Sequence, residues 1–444
     1  MRIPVVEAAR ATNARVVGDA STNCNGVSYD SRSLVPGNLF VAVVAARDGH
    51  DFVADAVRAG CSAVLVSREI PGCPVPQIVV SDTAAGLTHL GRWARDVLAA
   101  HVDGRVVGIT GSVGKTTTKD YIASALRTRF SVGASERSLN NDQGMPVTLL
   151  NAPDDADALV LEMGMRGFGE IARLATLARP DVGVVTRVGE SHGERVGGIE
   201  GVARAKGELI ESLPSSGIAV LNGDDPRVTA MRALTDARTY TYGSGDDADM
   251  RFANVEQRGV AGVAFRFVSR WGGGECVLPT PGLHMVSNAA AALLVAAVTG
   301  CELDRVSAAL GRAELSPMRM AIHRAGGLTI IDDSYNASPT SVMAALDTMA
   351  AMPAGRRVAV LGTMAEIADS PAMHRAVAQH AARLGIDVVA VGTDLYGAKR
   401  IDNHDDVVAM VRALPAESAV LFKASRVVGL DRLVQLFVVP NIDA

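Results

Sequence analysis

The chain has 444 residues, 48% of them apolar and 20% charged, with a net charge of −5. At about 100–200 residues per domain, this length accommodates roughly three domains, each able to bury a core. The acidic balance excludes a nucleic-acid binder held by a broad basic surface but not a local phosphate site.

Mean hydropathy is slightly positive. The apolar runs are nevertheless short and broken by Gly, Pro or charge. None approaches the ~20 residues of a membrane span. The string MRIPVVEAARATNARVV is interrupted by arginines and lacks a signal-peptide core. Cys24, Cys61, Cys73, Cys276 and Cys301 form no CxxC pair. They read as reduced, mostly packed thiols of a cytoplasmic protein, not as a zinc site.

In chain order, 37–45 and 61–67 predict strands around a helix at 51–60. Residues 83–99 predict a helix with Leu87, Leu90, Ala94, Val97 and Leu98 on one apolar stripe. Residues 105–111 predict a buried strand entering a Gly-rich turn, with a helix from Lys115. Strand-like runs follow at 158–164, 182–188 and 218–222, separated by helical stretches. Such alternation implies α/β architecture with a mostly parallel sheet covered on both faces. The turn-rich stretch 239–280 reads as an antiparallel excursion, followed by a helix at about 286–299. A second, Rossmann-like alternation places strands at 328–333, 357–362, 387–392 and 419–425, with helices at 338–351, 371–384 and 404–413. No strand ends in GxGxxG, so a dinucleotide is not indicated.

The sharpest local signal is GITGSVGKTTTKD, 108–120. It departs from GxxxxGK[ST], because Ile109 stands six residues before Lys115. Its physics is still that of a phosphate cradle. Gly111 and Gly114 let backbone N–H groups converge beside the positive end of a helix. Lys115 can neutralise β- and γ-phosphate charge, and the Thr116 hydroxyl suits Mg²⁺. Glu162 ends the strand of LEMG and is either an ordinary strand-end acid or a Mg²⁺ ligand. His192, in GESHGE, is either structural or a second metal ligand. Lys206 falls on the apolar stripe of 199–213, beside Val202 and Leu209. Either its stem snorkels or its amine turns toward the nucleotide. NNDQGMP (140–146) is a turn or a source of polar contacts. DDSYNASP (332–339) fits an N-cap at Ser338 with Pro339 in the first helical position.

Taken in order, these strings resemble the Mur ligase family: TGSVGKTT, SLNNDQGMP, LEMG, GESHGE, ARAKGEL, LNGDDP, GLHMVSNAAAA, SPMRM, DDSYNASP, GTMAEI and KASR. SYDSRSLVPGNLFVAV (28–43) and DGHDF (48–52) look like that family's UDP-sugar-binding region. DDSYNASP and GTMAEI most resemble the branch adding D-alanyl-D-alanine to UDP-N-acetylmuramoyl-tripeptide for peptidoglycan synthesis. The resemblance implies a UDP-substrate domain at 1–100, a central ATPase at 101–314 and a Rossmann-like domain at 315–444. It implies amide-bond formation through an acyl phosphate, with ATP and two Mg²⁺ ions, in a cytoplasmic monomer without nucleic-acid or membrane partners.

Residue by residue, the resemblance implies Gly111, Ser112, Gly114, Lys115, Thr116 and Thr117 around the phosphates. It places Thr116 and Glu162 on one Mg²⁺, and His192 with a carbamoylated Lys206 on the second. Asn288 would meet adenine, Arg319 the phosphates and Asp333 the ribose. Ser31, Gly49, His50 and Asp51 fall in the UDP region, with Asn140 and Asn141 on the substrate side of the central domain. Tyr335, Asn336, Lys423, Ser425 and Arg426 lie where the last domain closes. One ATP touching Lys115, Glu162 and Asp333 would bridge two domains, which predicts a hinge near Glu314–Ser316. The chain departs from the family at Ser138, Arg187, Met285 and Ser338, where Asn is common, and at Thr363, where an acid is common. A divergent ligase of another carboxylate and amine, or a non-catalytic nucleotide-binding paralogue, are the competing readings.

Overall fold

The computed structural model describes residues 1–136, 138–190, 193–365, 367 and 369–438. His192 lies outside the described residues, as does Glu366 of GTMAEI. Among the described residues the architecture is mixed α/β, and each sheet falls within one of three consecutive stretches of chain.

The first stretch holds a five-stranded sheet ordered 15–17, 77–79, 63–66, 39–41, 27–28, with a two-stranded ribbon of 2–4 and 23–25. Its long helix, Thr83–Leu98, is capped by Asp82, whose carboxylate accepts from the N–H groups of Ala84 and Ala85. Leu87, Leu90, Ala94 and Leu98 are fully buried, but Val97 is 49% exposed. The 3.6-residue period sets Val97 at the margin of the arc that the other four occupy, where solvent reaches it. Gly91 lets this helix lie against the central unit, because a Cβ there would stand 2.8 Å from Pro146 Cβ.

The central sheet has nine strands among the described residues. Seven run parallel, ordered 250–257, 238–243, 218–222, 182–185, 106–110, 158–162, 132–134. The chain leaves Val106–Thr110 toward one edge and later returns to its other side. The carboxyl ends of 106–110, 158–162 and 182–185 therefore meet at a topological switch point, where open α/β sheets bind ligands. The excursion expected at 239–280 is only partly antiparallel. Arg238–Gly243 still pairs parallel on both sides, and the first strand to reverse direction is Val263–Ser269, between Met250–Gln257 and Gly272–Leu278. The helix Leu283–Val298 starts three residues earlier than its apolar run suggests and is almost wholly buried. It packs against the helix Lys115–Leu126, so the phosphate loop is backed by core on that side.

The last stretch has a six-stranded sheet ordered 321–325, 328–332, 419–423, 357–362, 387–391, 399–401, parallel except for the first pair. Ser338 caps the helix Pro339–Ala350 in a capping box, with Pro339 opening it. Val342, Leu346 and Met349 of this helix share a core with the helix Leu283–Val298, while Leu87 and Leu90 share another with Met145 and Leu161. Continuous apolar packing therefore joins the outer units to the central one. All five cysteines are free, and only Cys73 is not buried. Among the described residues no helix is long and apolar enough to cross a membrane.

Candidate active site

The phosphate loop is the turn between Val106–Thr110 and Lys115–Leu126. Two glycines make it possible. Gly111 sits at φ 151°, and a Cβ there would overlap the Thr186 hydroxyl. Gly114 sits at φ 84°, and a Cβ would come within 2.6 Å of Asn288 Oδ1. The next strand's exit loop closes the floor: Ser112 N–H donates to Arg187 O at 2.7 Å, and Ser112 Oγ donates to Gly189 O at 3.0 Å. Thr117 is buried in the first helical turn. Thr118 donates to Asn288 Oδ1 at 3.2 Å, which holds Asn288 beside the loop.

Lys115, Thr116, Glu162, Asn140 and Arg319 are brought together. Lys115 Nζ folds back onto Gly111 O at 2.7 Å. Thr116 Oγ1 donates to Glu162 Oε2 at 2.7 Å and accepts from Arg319 at 2.8 Å. Asn140 Nδ2 donates to the other carboxylate oxygen of Glu162 at 2.8 Å. Glu162 is 1% exposed and has its backbone N–H on Ser135 Oγ. Burial, reinforced by Arg319, lowers the Lys115 pKa against the opposing pull of Glu162. Lys206 is 2% exposed on the helix Gly198–Glu211. Burial first, and then the Lys115 ammonium, press its pKa well below the ordinary lysine value. The snorkelling alternative fails, because the whole side chain is enclosed.

Arg319 arrives on the linker before the last sheet. Its guanidinium stacks 4.4 Å over the Tyr335 ring, and Tyr335 contacts the Ser138 hydroxyl across the cleft. Both neighbours of Arg319, Met318 and Met320, are in left-handed backbone conformations, at φ 61° and 53°. Such non-glycine residues cost about 1–3 kcal/mol each and persist only where surroundings enforce them. Asp333 Oδ1 accepts from Met320 N–H at 3.2 Å, and its Oδ2 pairs with Lys423, which is 3% exposed. Lys423 also donates to Asn336 O at 2.9 Å. Ser425 Oγ accepts from Ala365 N–H at 2.8 Å, and Arg426 pairs with Asp431 at 3.0 Å.

The remaining residues are held differently. Asn141 Oδ1 accepts from Gly144 N–H at 2.8 Å, at the start of the helix Gly144–Leu150. His50 is locked within the first unit. Its Nε2 accepts from Ser67 N–H at 2.9 Å, so Nδ1 carries the proton shared with Asp48 at 2.6 Å. The His50 N–H and ring, then Arg68, hold the Asp48 carboxyl well below its ordinary range. Gly49 is required by contact, since a Cβ would stand 2.6 Å from the backbone of Ala42 and Val43. Ser31 lies in the turn closed by Ser33 N–H on Asp30 O, and Asp51 is exposed.

Sequence reasoning passes over Ser135, Lys119, Asp120 and His284. His284 feels Asp333 and Lys423, and burial lowers its pKa. Lys119 and Asp120 follow Thr116 at helical spacings of three and four, a signal present in the sequence.

Two features suit a polyphosphate with a divalent cation. Arg319 Nε is buried without a partner among the described residues, and Lys115 and Arg319 oppose one another's charge. Both are relieved by an anion between them. The oxygen donors of Thr116 and Glu162 match the hard character of Mg²⁺.

Phosphate loop, strand-end carboxylate and a cation delivered from the linker before the last sheet define a nucleotide-dependent transferase or ligase site. Residues 109–296 match the Mur ligase middle domain, and 318–431 match the Mur ligase glutamate ligase domain. The UDP-N-acetylmuramoyl-tripeptide–D-alanyl-D-alanine ligase of Escherichia coli is 35% identical, covering 94% of each chain. The enzyme of that name from Bacillus subtilis is 33% identical, covering 93% of each chain. A crystal structure of MurF from Acinetobacter baumannii superposes with a TM-score of 0.85 at 28% identity, covering 98% of each chain. MurF from Thermotoga maritima in complex with ADP superposes with a TM-score of 0.79 at 27% identity, covering 93% of this chain and 97% of that one. The chain belongs to the Mur ligase family.

Gly111→Ala is expected to destabilise the fold by about 1–3 kcal/mol and to weaken nucleotide binding, because both its φ and the Thr186 contact forbid a Cβ. Gly355→Ala, with open space and an ordinary φ, should stay within about 0.5 kcal/mol. Chemical denaturation of both variants checks this.

Proposed function

We propose that this protein is an ATP-dependent ligase that adds D-alanyl-D-alanine to UDP-N-acetylmuramoyl-tripeptide in peptidoglycan precursor synthesis. The observation that carries the reading is the hydrogen-bond chain Arg319–Thr116–Glu162, which builds one polyphosphate site from two parts of the molecule. The near full-length likeness to ligases of that name supports the choice of substrates.

In this reading a carboxylate oxygen of the peptide attacks the γ-phosphorus of ATP, and ADP leaves. The amine of D-alanyl-D-alanine then attacks the acyl phosphate carbon. The tetrahedral adduct expels inorganic phosphate, the nitrogen gives up a proton, and an amide remains. Lys115 and Arg319 balance the charge that moves between the β- and γ-phosphates. Asn140 keeps Glu162 oriented. Thr116 and Glu162 would hold one Mg²⁺, and His192 with a carbamoylated Lys206 a second; the ions would supply further charge neutralisation when bound. Asn288 serves the adenine and Asp333 the ribose. Ser31, Gly49, His50 and Asp51 belong to the UDP side, where His50 acts by shaping the loop. The protein works as a cytoplasmic monomer with domains 1–100, 101–314 and 315–444.

ADP release should require both the tripeptide precursor and D-alanyl-D-alanine. Lys115→Ala should lower turnover by about 100-fold or more, as loss of comparable charge stabilisation costs about 2.7–4 kcal/mol. Turnover only with a different carboxylate and amine, or near-normal turnover of the variant, contradicts the reading.

Lys206 is proposed to work as a carbamate. Burial disfavours the charged form of its enclosed amine, which can add to CO₂ with loss of a proton to give an anionic carbamate that offers oxygen ligands. Lys206→Ala should lose most activity, with partial recovery in acetate. Wild-type activity should fall in CO₂-free buffer and return with bicarbonate. Full activity without CO₂, together with an unmodified Lys206 by labelled-CO₂ spectroscopy, overturns this assignment.

A further inference from the structure

We infer that Asp120 is a positioning residue, which holds the interdomain linker so that Arg319 reaches Thr116. Asp120 lies one turn beyond Thr116 on the helix that follows the phosphate loop. Its Oδ2 accepts at 2.7 Å from the N–H of Ser316, the first residue of the SPMRM segment. Its Oδ1 faces Lys119 Nζ at 2.8 Å. Both partners are donors, so only a carboxylate satisfies the two together; an amide would turn its NH₂ toward one of them. The pair is enclosed, with side-chain exposures of 3% for Lys119 and 10% for Asp120.

These contacts close a ring around the start of the helix. Lys119 Nζ donates to Ser135 O at 2.6 Å, and Ser135 Oγ accepts from Glu162 N–H at 3.2 Å. Glu162 accepts from Thr116, and Thr116 accepts from Arg319. Arg319 lies three residues after Ser316, so Asp120 anchors one end of the segment whose other end enters the nucleotide site.

The backbone between these points supplies an independent argument. Left-handed Met318 and Met320 flank Arg319 and require external restraint. Tyr335 N–H on Met318 O at 3.3 Å and Met320 N–H on Asp333 at 3.2 Å restrain the far side. Asp120 restrains the near side, and it does so from the central unit rather than from the last one. The linker is thereby registered to the phosphate loop itself. Asp120 thus acts on the phosphates through Arg319 rather than by direct contact.

The inference rests on the proposed nucleotide site, and the test separates the two. Calorimetric binding of MgATP to the unaltered full-length protein tests the site; a double-mutant cycle tests the positioning role. Asp120→Asn should weaken MgATP binding about tenfold in the otherwise unaltered protein, but less than about twofold in an Arg319→Lys background. In turnover the same variant should raise KM for ATP and lower kcat, with KM for the peptide unchanged. Asp120→Glu should restore most of the loss. Should Asp120→Asn fail to fold, the cycle is read on Ser316→Pro, which deletes the N–H donor and keeps the Lys119–Asp120 pair. Equal loss in the two Arg319 backgrounds would show a merely structural carboxylate and overturn the inference.

Discussion

Everything at this site follows from holding two cations from different parts of the chain around one buried hydroxyl–carboxylate pair. Lys115 and Arg319 repel, yet Thr116 and Glu162 hold them within one pocket. Low local dielectric strengthens that repulsion, so the arrangement is costly without an anion and favourable with one. The fold absorbs the cost by rigid surroundings. The helix Leu283–Val298 backs the phosphate loop, and Gly111 and Gly114 let it pass Thr186 and Asn288 without a side chain in the way. Because the second cation comes from the linker leading into the last sheet, a polyphosphate bound at the proposed site would also join the two units.

The linker shows how that bond is prepared. Two residues in left-handed conformations point Arg319 inward, and Tyr335 supports its guanidinium from the outer side. Behind it the buried Lys423 pairs with the half-buried Asp333, which links the linker to the KASR loop. In the proposed reaction Asp333 would serve the ribose, and Lys423 stands where the last domain would close on the substrates. The last domain would then contribute both charge to the nucleotide and walls to the second substrate. Ser138, standing where the family commonly has Asn, meets Tyr335 here, so the departure falls on the cleft and not on the phosphate cradle.

Much of this is legible in the sequence. Runs such as 158–162 and 357–362 are strongly apolar and bounded by turns, and they form strands with nearly the expected ends. The phosphate loop is legible because Gly, Lys and Thr coincide with a strand-to-helix transition. Lys206 is legible from its place on an apolar stripe. Three-residue strands such as Val132–Ala134 and Lys399–Ile401 are not, because they are too short to carry a period and depend on the sheet for pairing. Val97 misleads because an apolar residue at the margin of a stripe need not face inward. That both ring nitrogens of His50 are taken, by Asp48 and Ser67, is not legible, because Ser67 lies 17 residues further along the chain. The Asp120–Ser316 contact joins residues 196 apart in sequence, a relation that only the tertiary fold reveals.

Central to the proposed reaction is phosphorylation of the peptide carboxylate before the amine attacks. The most direct measurement uses precursor labelled with ¹⁸O in that carboxylate, with the released inorganic phosphate analysed by mass spectrometry or ³¹P resonance. An acyl phosphate transfers one carboxylate oxygen to phosphate, so each amide formed should release phosphate carrying one labelled oxygen from a fully labelled carboxylate. Amide formation with unlabelled phosphate, or with the label appearing in AMP, would contradict that order of events.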